Sequence, residues 1–124
     1  MRVRAVAATH VGYQRRNNQD SYACCRELGL FIVADGIGGH PAGEIASRIA
    51  TTTIVTDLQA PWSASPTEDK DAALRRAFAT AHREILRDMV EHTERAGMGT
   101  TCTTALIIGD VLRVDVVIEI NLVL

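Results

Sequence analysis

A chain of 124 residues has room for one domain and little more. With 47% apolar, 23% charged and only 4% aromatic residues, it has the balance of a soluble globular protein whose core is aliphatic and alanine-rich. A formal charge of −2 and the lack of a basic run exclude nucleic acid and an anionic membrane as expected partners.

Val3 to Thr9 is short, apolar and partly alternating, which predicts a strand. The polar stretch from Gly12 to Asp20 reads as a loop. Two strands are expected next, Ser21 to Arg26 and Leu28 to Ala34, with a turn near Glu27 and Gly29. The run Leu30-Phe31-Ile32-Val33-Ala34 is continuously apolar, as in a strand buried on both faces, and should end abruptly at Asp35. Pro41 stands where a first helical residue tolerates proline. Ala42, Ile45, Ala46, Ile49, Ala50 and Thr53 then recur at helical spacing, predicting a helix to about Leu58 and a loop from Gln59 to Ala64.

Ser65-Pro66-Thr67-Glu68 has a capping-box pattern and should start a second helix. Its buried stripe is expected at Leu74, Ala77, Phe78, Ala81, Ile85 and Met89, with Gly97 as its stop. Thr100 to Ile108 and Val111 to Leu124 then read as a hairpin turning at Gly109-Asp110. No repeat or linker divides residues 1–124.

The three cysteines, Cys24, Cys25 and Cys102, lack the spacing of a disulfide framework or a zinc site. The N-terminus lacks signal-peptide order, and no apolar run approaches the roughly 20 residues needed to cross a bilayer. A cytoplasmic protein is the simplest expectation. His10, His82 and His92 have no partnered ligand spacing, and Trp62 is expected to pack locally.

The chemistry concentrates at Asp35-Gly36-Ile37-Gly38-Gly39-His40. A carboxylate at the end of a buried strand is costly without a counter-group, and the glycines let backbone approach a ligand closely. A strand, glycine loop and helix can hold a phosphate or a hard cation. The carboxylate favours the cation, and the spacing fits neither a dinucleotide fingerprint nor a P-loop. The bland alternative is that Asp35 caps the following helix. Asp20 opens the preceding strand, so both carboxylates could converge at one sheet end. Arg15 and Arg16 are suited to a phosphoryl oxygen by their planar donors, or are solvated loop charges.

Gly12-x-x-Arg15-x-x-Asn18-Gln19-Asp20-Ser21, then Leu30 to His40, then Ala42-Gly43-Glu44 and finally Gly99-Thr100-Thr101, resemble the type 2C metal-dependent serine/threonine protein phosphatases, bacterial branch. The resemblance implies an α+β fold: a four-layer αββα sandwich of two antiparallel β-sheets flanked by helices. Here it would be partial and incomplete at the C-terminus, residues 1–124 being the N-terminal portion of the domain. It implies a binuclear Mn²⁺ or Mg²⁺ centre, with Asp35 bridging the metals, the Gly36 carbonyl ligating one, and Asp20 acting in the metal shell. Arg15 would hold the substrate phosphate, and His40 would donate a proton or orient water. The implied reaction is attack of a metal-activated water on phosphoserine or phosphothreonine of a protein substrate.

One block departs from the pattern. Where the family's hairpin ends in Gly-Asp-Ser-Arg, this chain has Ile118-Glu119-Ile120-Asn121, so Glu119 is the candidate for an additional metal site. The family's later aspartates have no counterpart before Leu124. The isolated chain is therefore expected to have little phosphatase activity, and its unfinished sheet edges invite aggregation or pairing with another chain. The alternative function is a degenerate, non-catalytic phosphatase module that binds a phosphoprotein or a partner chain.

Overall fold

The computed structural model describes residues 20–38, 41–64, 70–108 and 111–117, with backbone alone considered at 60–64, 70–71, 108 and 111–117. Five strands and two long helices occur there: β1 (Asp20–Cys25), β2 (Leu30–Ile37), α1 (Ala42–Ala64), α2 (Lys70–Glu91), β3 (Gly99–Thr100), β4 (Cys102–Ile108) and β5 (Val111–Val117). A single 3-10 turn, Thr93–Arg95, links α2 to β3. The class is α+β, as the sequence implies.

All strand pairings are antiparallel. The sheet order is β1-β2-β4-β5, with β3 extending the pairing of β2. The turn between β1 and β2 is closed by Leu28 N–H to Cys25 O and Gly29 N–H to Arg26 O, both 3.1 Å. Gly29 has φ +65°, and a Cβ there would lie 2.8 Å from the Ile107 carbonyl oxygen. Its own carbonyl accepts from Ile107 N at 2.8 Å, so the turn is fastened directly to β4. Only glycine satisfies both conditions.

Two-residue alternation then sorts the strands. Leu30, Ile32 and Ala34 of β2 and Cys102, Thr104 and Leu106 of β4 are buried on one sheet face. Helix α1 covers that face through Ala42, Ala46, Ala50, Ile54 and Leu58, a row at four-residue spacing. Its first three members are alanines, whose short side chains let the helix axis approach the sheet. Helix α2 packs against α1, and Leu74, Ala77, Ala81, Ile85 and Met89 join the same cluster, as expected of its stripe.

The structure corrects four expectations. β2 continues through Asp35 to Ile37 because Gly36 pairs with Thr100 and Ile37 with Gly99. The glycines that suggest a turn at Asp35 still supply backbone groups to a ladder. β2 is buried on one face only: Val33 is 62% exposed, since among the described residues nothing is layered over it. In α1, Ile45 and Ile49 are half-buried beside the alanine row, and the helix runs through Pro61 to Ala64 rather than ending near Leu58. A proline removes one donor, and the remaining helical bonds carry the segment on. Finally, α2 ends at Glu91, so Gly97 (φ +83°) closes the 3-10 turn rather than capping the helix.

One antiparallel sheet and one helical side of the implied sandwich are thus seen among the described residues. The strand expected at Val3 to Thr9, the capping box at 65–68 and the hairpin beyond Val117 lie outside them.

Candidate metal centre

The register of β1 on β2 is the feature that builds the site. Cys25 pairs with Leu30, and counting back along both strands makes Asp20 the cross-strand partner of Asp35. Directly opposed residues of an antiparallel pair project to the same face with Cβ atoms about 4.5–5.5 Å apart. Alternation places that face opposite the one bearing Leu30, Ile32 and Ala34. The two carboxylates therefore stand together on the open side of the sheet, at the end from which β2 leads to α1. Both are partly buried.

Opposed like charges repel across a strand pair, and a cation placed between them reverses the sign of that term. Carboxylate and carbonyl oxygens are also the donors a hard divalent cation prefers. Asp20, Asp35 and the adjacent Gly36 thus fit such an ion. They form a partial shell: among the described residues, no group of three or more His, Cys, Asp or Glu side chains is gathered for a metal.

The backbone beside each carboxylate is anchored by its neighbours. Ser21, on the buried face next to Asp20, has its Oγ 3.0 Å from Thr51 Oγ1 of α1. Thr51 lies 3.2 Å from both the Ser47 and Arg48 carbonyls, and Ser47 Oγ donates to the Glu44 carbonyl at 3.0 Å. Hydroxyls thus satisfy one another within the helix–sheet contact, where an unpaired one would be costly, and they tie the start of β1 to α1.

On the other side of β2, Thr101 N donates to the Asp35 carbonyl at 2.9 Å. The Asp35 N–H donates to Thr101 Oγ1 at 3.2 Å. After β2, Gly38 turns the chain with φ +133°, and a Cβ there would stand 3.4 Å from Met98 Cα and 3.5 Å from Ala42 Cβ. Glycine lets the segment into α1 pass close to the residue before β3. Pro41 lies just before the helix, and its carbonyl accepts from Ile45 N at 3.0 Å, the first helical bond.

The position of β3 depends on the end of α2. One guanidinium nitrogen of Arg95 donates to both Asp88 carboxylate oxygens, at 2.9 and 2.8 Å, with both side chains largely buried. This pair fixes the 3-10 turn against α2, and so sets where Gly99 and Thr100 meet Ile37 and Gly36. A shallow cleft of about 360 Å³ between α1 and α2 lies elsewhere. Its charges are matched locally, Arg48 with Glu44 at 2.9 Å and Arg87 with Glu91 at 3.4 Å. It gathers no set of like groups for chemistry.

Of the sequence-predicted site residues, the structure brings Asp20, Asp35 and Gly36 together at one sheet end. Arg15, His40 and Glu119 lie outside the described residues. Thr101 belongs to this neighbourhood too. The Gly99-Thr100-Thr101 block marks the segment in the sequence, but only the register shows that it grips Asp35.

Known proteins share the sequence and fold of this chain. The family model for protein phosphatase 2C matches residues 9–117. Serine/threonine protein phosphatase PstP of Mycobacterium tuberculosis is 36% identical over 109 residues, covering 87% of this chain and 20% of that protein. The crystal structure of the Mycobacterium tuberculosis phosphatase PstP/Ppp superposes with a TM-score of 0.71 at 32% identity, over 86% of this chain and 43% of that one. The PstP catalytic domain in complex with two manganese ions gives a TM-score of 0.59 at 31% identity, over 86% and 44%. This chain thus spans about a fifth of the curated relative and under half of the solved chains.

Proposed function

Because the chain belongs to the protein phosphatase 2C family, we propose that it serves metal-dependent hydrolysis of phosphoserine and phosphothreonine in proteins. The observation that carries this reading is the cross-strand pairing of Asp20 with Asp35. Asp35 would bridge a binuclear Mn²⁺ or Mg²⁺ centre, the Gly36 carbonyl would ligate one ion, and Asp20 would act in the shell. A divalent centre, when bound, supplies Lewis acidity and a nucleophile at neutral pH. The chain's own residues hold and orient it: the carboxylates stand on a paired, rigid strand end rather than on a loop. By family resemblance, Arg15 would bind the substrate phosphate through its planar donors, His40 would pass a proton or orient water, and Glu119 would serve an additional metal site. The free thiols of Cys24, Cys25 and Cys102 suit a reducing compartment, so we place the activity in the cytoplasm.

A second reading is favoured by the Ile118-Glu119-Ile120-Asn121 segment, which departs from the family pattern. On that reading the chain is a non-catalytic module that binds a phosphoprotein, or another copy through its sheet edges, and the 124-residue polypeptide turns over little substrate.

The test is a Mn²⁺ titration of the wild-type chain and of Asp35→Asn and Asp20→Asn, with thermal unfolding followed in parallel. Ligand at a hundred times its dissociation constant stabilises the folded state by about 2.7 kcal/mol. The wild type should show that shift, and Asp35→Asn should lose most of it. Equal binding by wild type and Asp35→Asn would make Asp35 a structural residue and sink the proposal. Turnover of a phosphoserine peptide then separates the readings: manganese-dependent release of phosphate supports the enzyme, and peptide binding without release supports the module.

A further inference from the structure

We propose that Thr101 is a positioning residue for the Asp35 carboxylate, and that its hydroxyl, not merely its backbone, performs the task. This rests on the metal reading given above. Val33 pairs with Thr103 and Gly36 with Thr100, so counting places Thr101 opposite Asp35. A regular antiparallel pair at this position would exchange two backbone N–H···O bonds, which any residue but proline can make.

Only half of that exchange is present. Thr101 N donates to the Asp35 carbonyl at 2.9 Å. The reverse bond is replaced: Asp35 N–H donates to Thr101 Oγ1 at 3.2 Å. The Thr101 carbonyl accepts instead from Thr100 Oγ1 at 2.7 Å. Thr101 Oγ1 also lies 3.4 Å from the Asp35 carbonyl oxygen, to which it donates. The hydroxyl therefore accepts on one side of the Asp35 Cα and donates on the other.

The result is a clamp on φ and ψ of the residue that carries the carboxylate. The regular strand is interrupted at Thr101, between β3 and β4, at the same point. A hydroxyl has been substituted for a peptide carbonyl where a carboxylate must be aimed. Partners that fix a ligand's orientation without touching the metal typically matter by about 10–100-fold in affinity. Ordinary strand pairing would make residue 101 interchangeable, whereas this geometry demands serine or threonine.

The experiment uses the whole 124-residue chain and Mn²⁺ itself as probe, with free aquo-Mn²⁺ followed by its paramagnetic resonance signal. Thr101→Val keeps the shape and β-branching but removes the hydroxyl, Thr101→Ala removes it without adding apolar bulk, and Thr101→Ser restores it. Melting of the metal-free proteins by circular dichroism shows how much of each variant is folded. Folded Thr101→Val and Thr101→Ala should bind Mn²⁺ roughly tenfold or more weakly, and Thr101→Ser should bind close to wild type. Wild-type affinity in folded Thr101→Val would overturn the proposal. So would failure of Thr101→Ser to rescue, or failure of both hydroxyl-free variants to fold, since Thr101 would then be a stability residue alone. Asp35→Asn in the same titration separates the two claims. If it binds like wild type, the metal reading itself is wrong. If it loses binding while Thr101→Val keeps it, only the clamp is wrong.

Discussion

The two faces of the β1-β2-β4 sheet differ sharply in burial. On one face, Leu30, Ile32, Ala34, Cys102, Thr104 and Leu106 are 0–1% exposed beneath α1. On the other, Tyr22 is 47% and Val33 62% exposed, and the same row of registers ends in Asp20 and Asp35. Adjacent residues of one strand therefore belong to different problems. Ile32 and Ala34 pack into the core, while Val33 and Asp35 lie on the open face, where the proposed metal site stands. A period of two separates the packed residues from the candidate site without any change of element.

Thiol chemistry offers the largest contrast between the faces. Cys24 is exposed and, as the partner of Phe31, belongs to the open face. Cys102 is fully buried beneath α1, and burial pushes its thiol from the usual 9.0 up to about 12. The reactive species is the thiolate, so Cys102 should alkylate at least roughly a hundredfold more slowly than Cys24 in the native protein, and comparably in urea. Mass spectrometry of iodoacetamide-treated protein at pH 8 reads both rates, and fast native labelling of Cys102 would show that its face opens. The linkage has a definite sign. Below pH 9 the thiol is protonated in both states and costs nothing. Above pH 9 the unfolded chain ionises while the folded one does not, so stability falls as pH rises toward 12. Cys102→Ala should flatten that part of the profile.

Next in size is the core itself. Leu30→Ala removes a fully buried side chain from β2 and should cost about 2–5 kcal/mol, measured by urea unfolding of the metal-free chain. A loss under about 1 kcal/mol would mean that α1 settles into the space, and that the inner face is less rigid than its packing suggests.

How much of this contrast is legible in the sequence depends on the interaction involved. The stripe of α2 at Leu74, Ala77, Ala81, Ile85 and Met89 is visible because a helix repeats its burial over several turns. Asp35 at a strand end with glycines after it is visible as well, because glycine and carboxylate chemistry are local. The apolar run from Leu30 to Ala34 is ambiguous in principle. Phe31 and Val33 carry the same propensity as Leu30 and Ile32, and only the layer above each face decides which is covered. In α1 the isoleucines at 45 and 49 draw attention from the alanine row, yet small residues are what let a helix lie close to a sheet. The clamp on Asp35 is less accessible still. It joins residues 66 apart through a side chain standing in for a backbone carbonyl, and nothing at Thr101 alone announces that exchange.

The smallest expected effect is the one that would most directly break the comparison. Val33→Thr changes a residue that is 62% exposed, between Tyr22 of β1 and Thr103 of β4 on the open face. Threonine keeps the β-branch that suits a strand, and at this exposure its hydroxyl can meet water rather than being buried unpaired. The stability change should stay within about 0.5 kcal/mol in the isolated chain, against several for Leu30→Ala on the same strand. A loss of about 2 kcal/mol or more would show that Val33 is covered in solution, by residues outside those described or by a second copy. Repeating the urea unfolding across a hundredfold range of protein concentration separates these cases, because only association makes the midpoint depend on concentration. A concentration-independent loss would assign the cover to the chain itself, and the open face would then be an inner surface with the carboxylates at its rim.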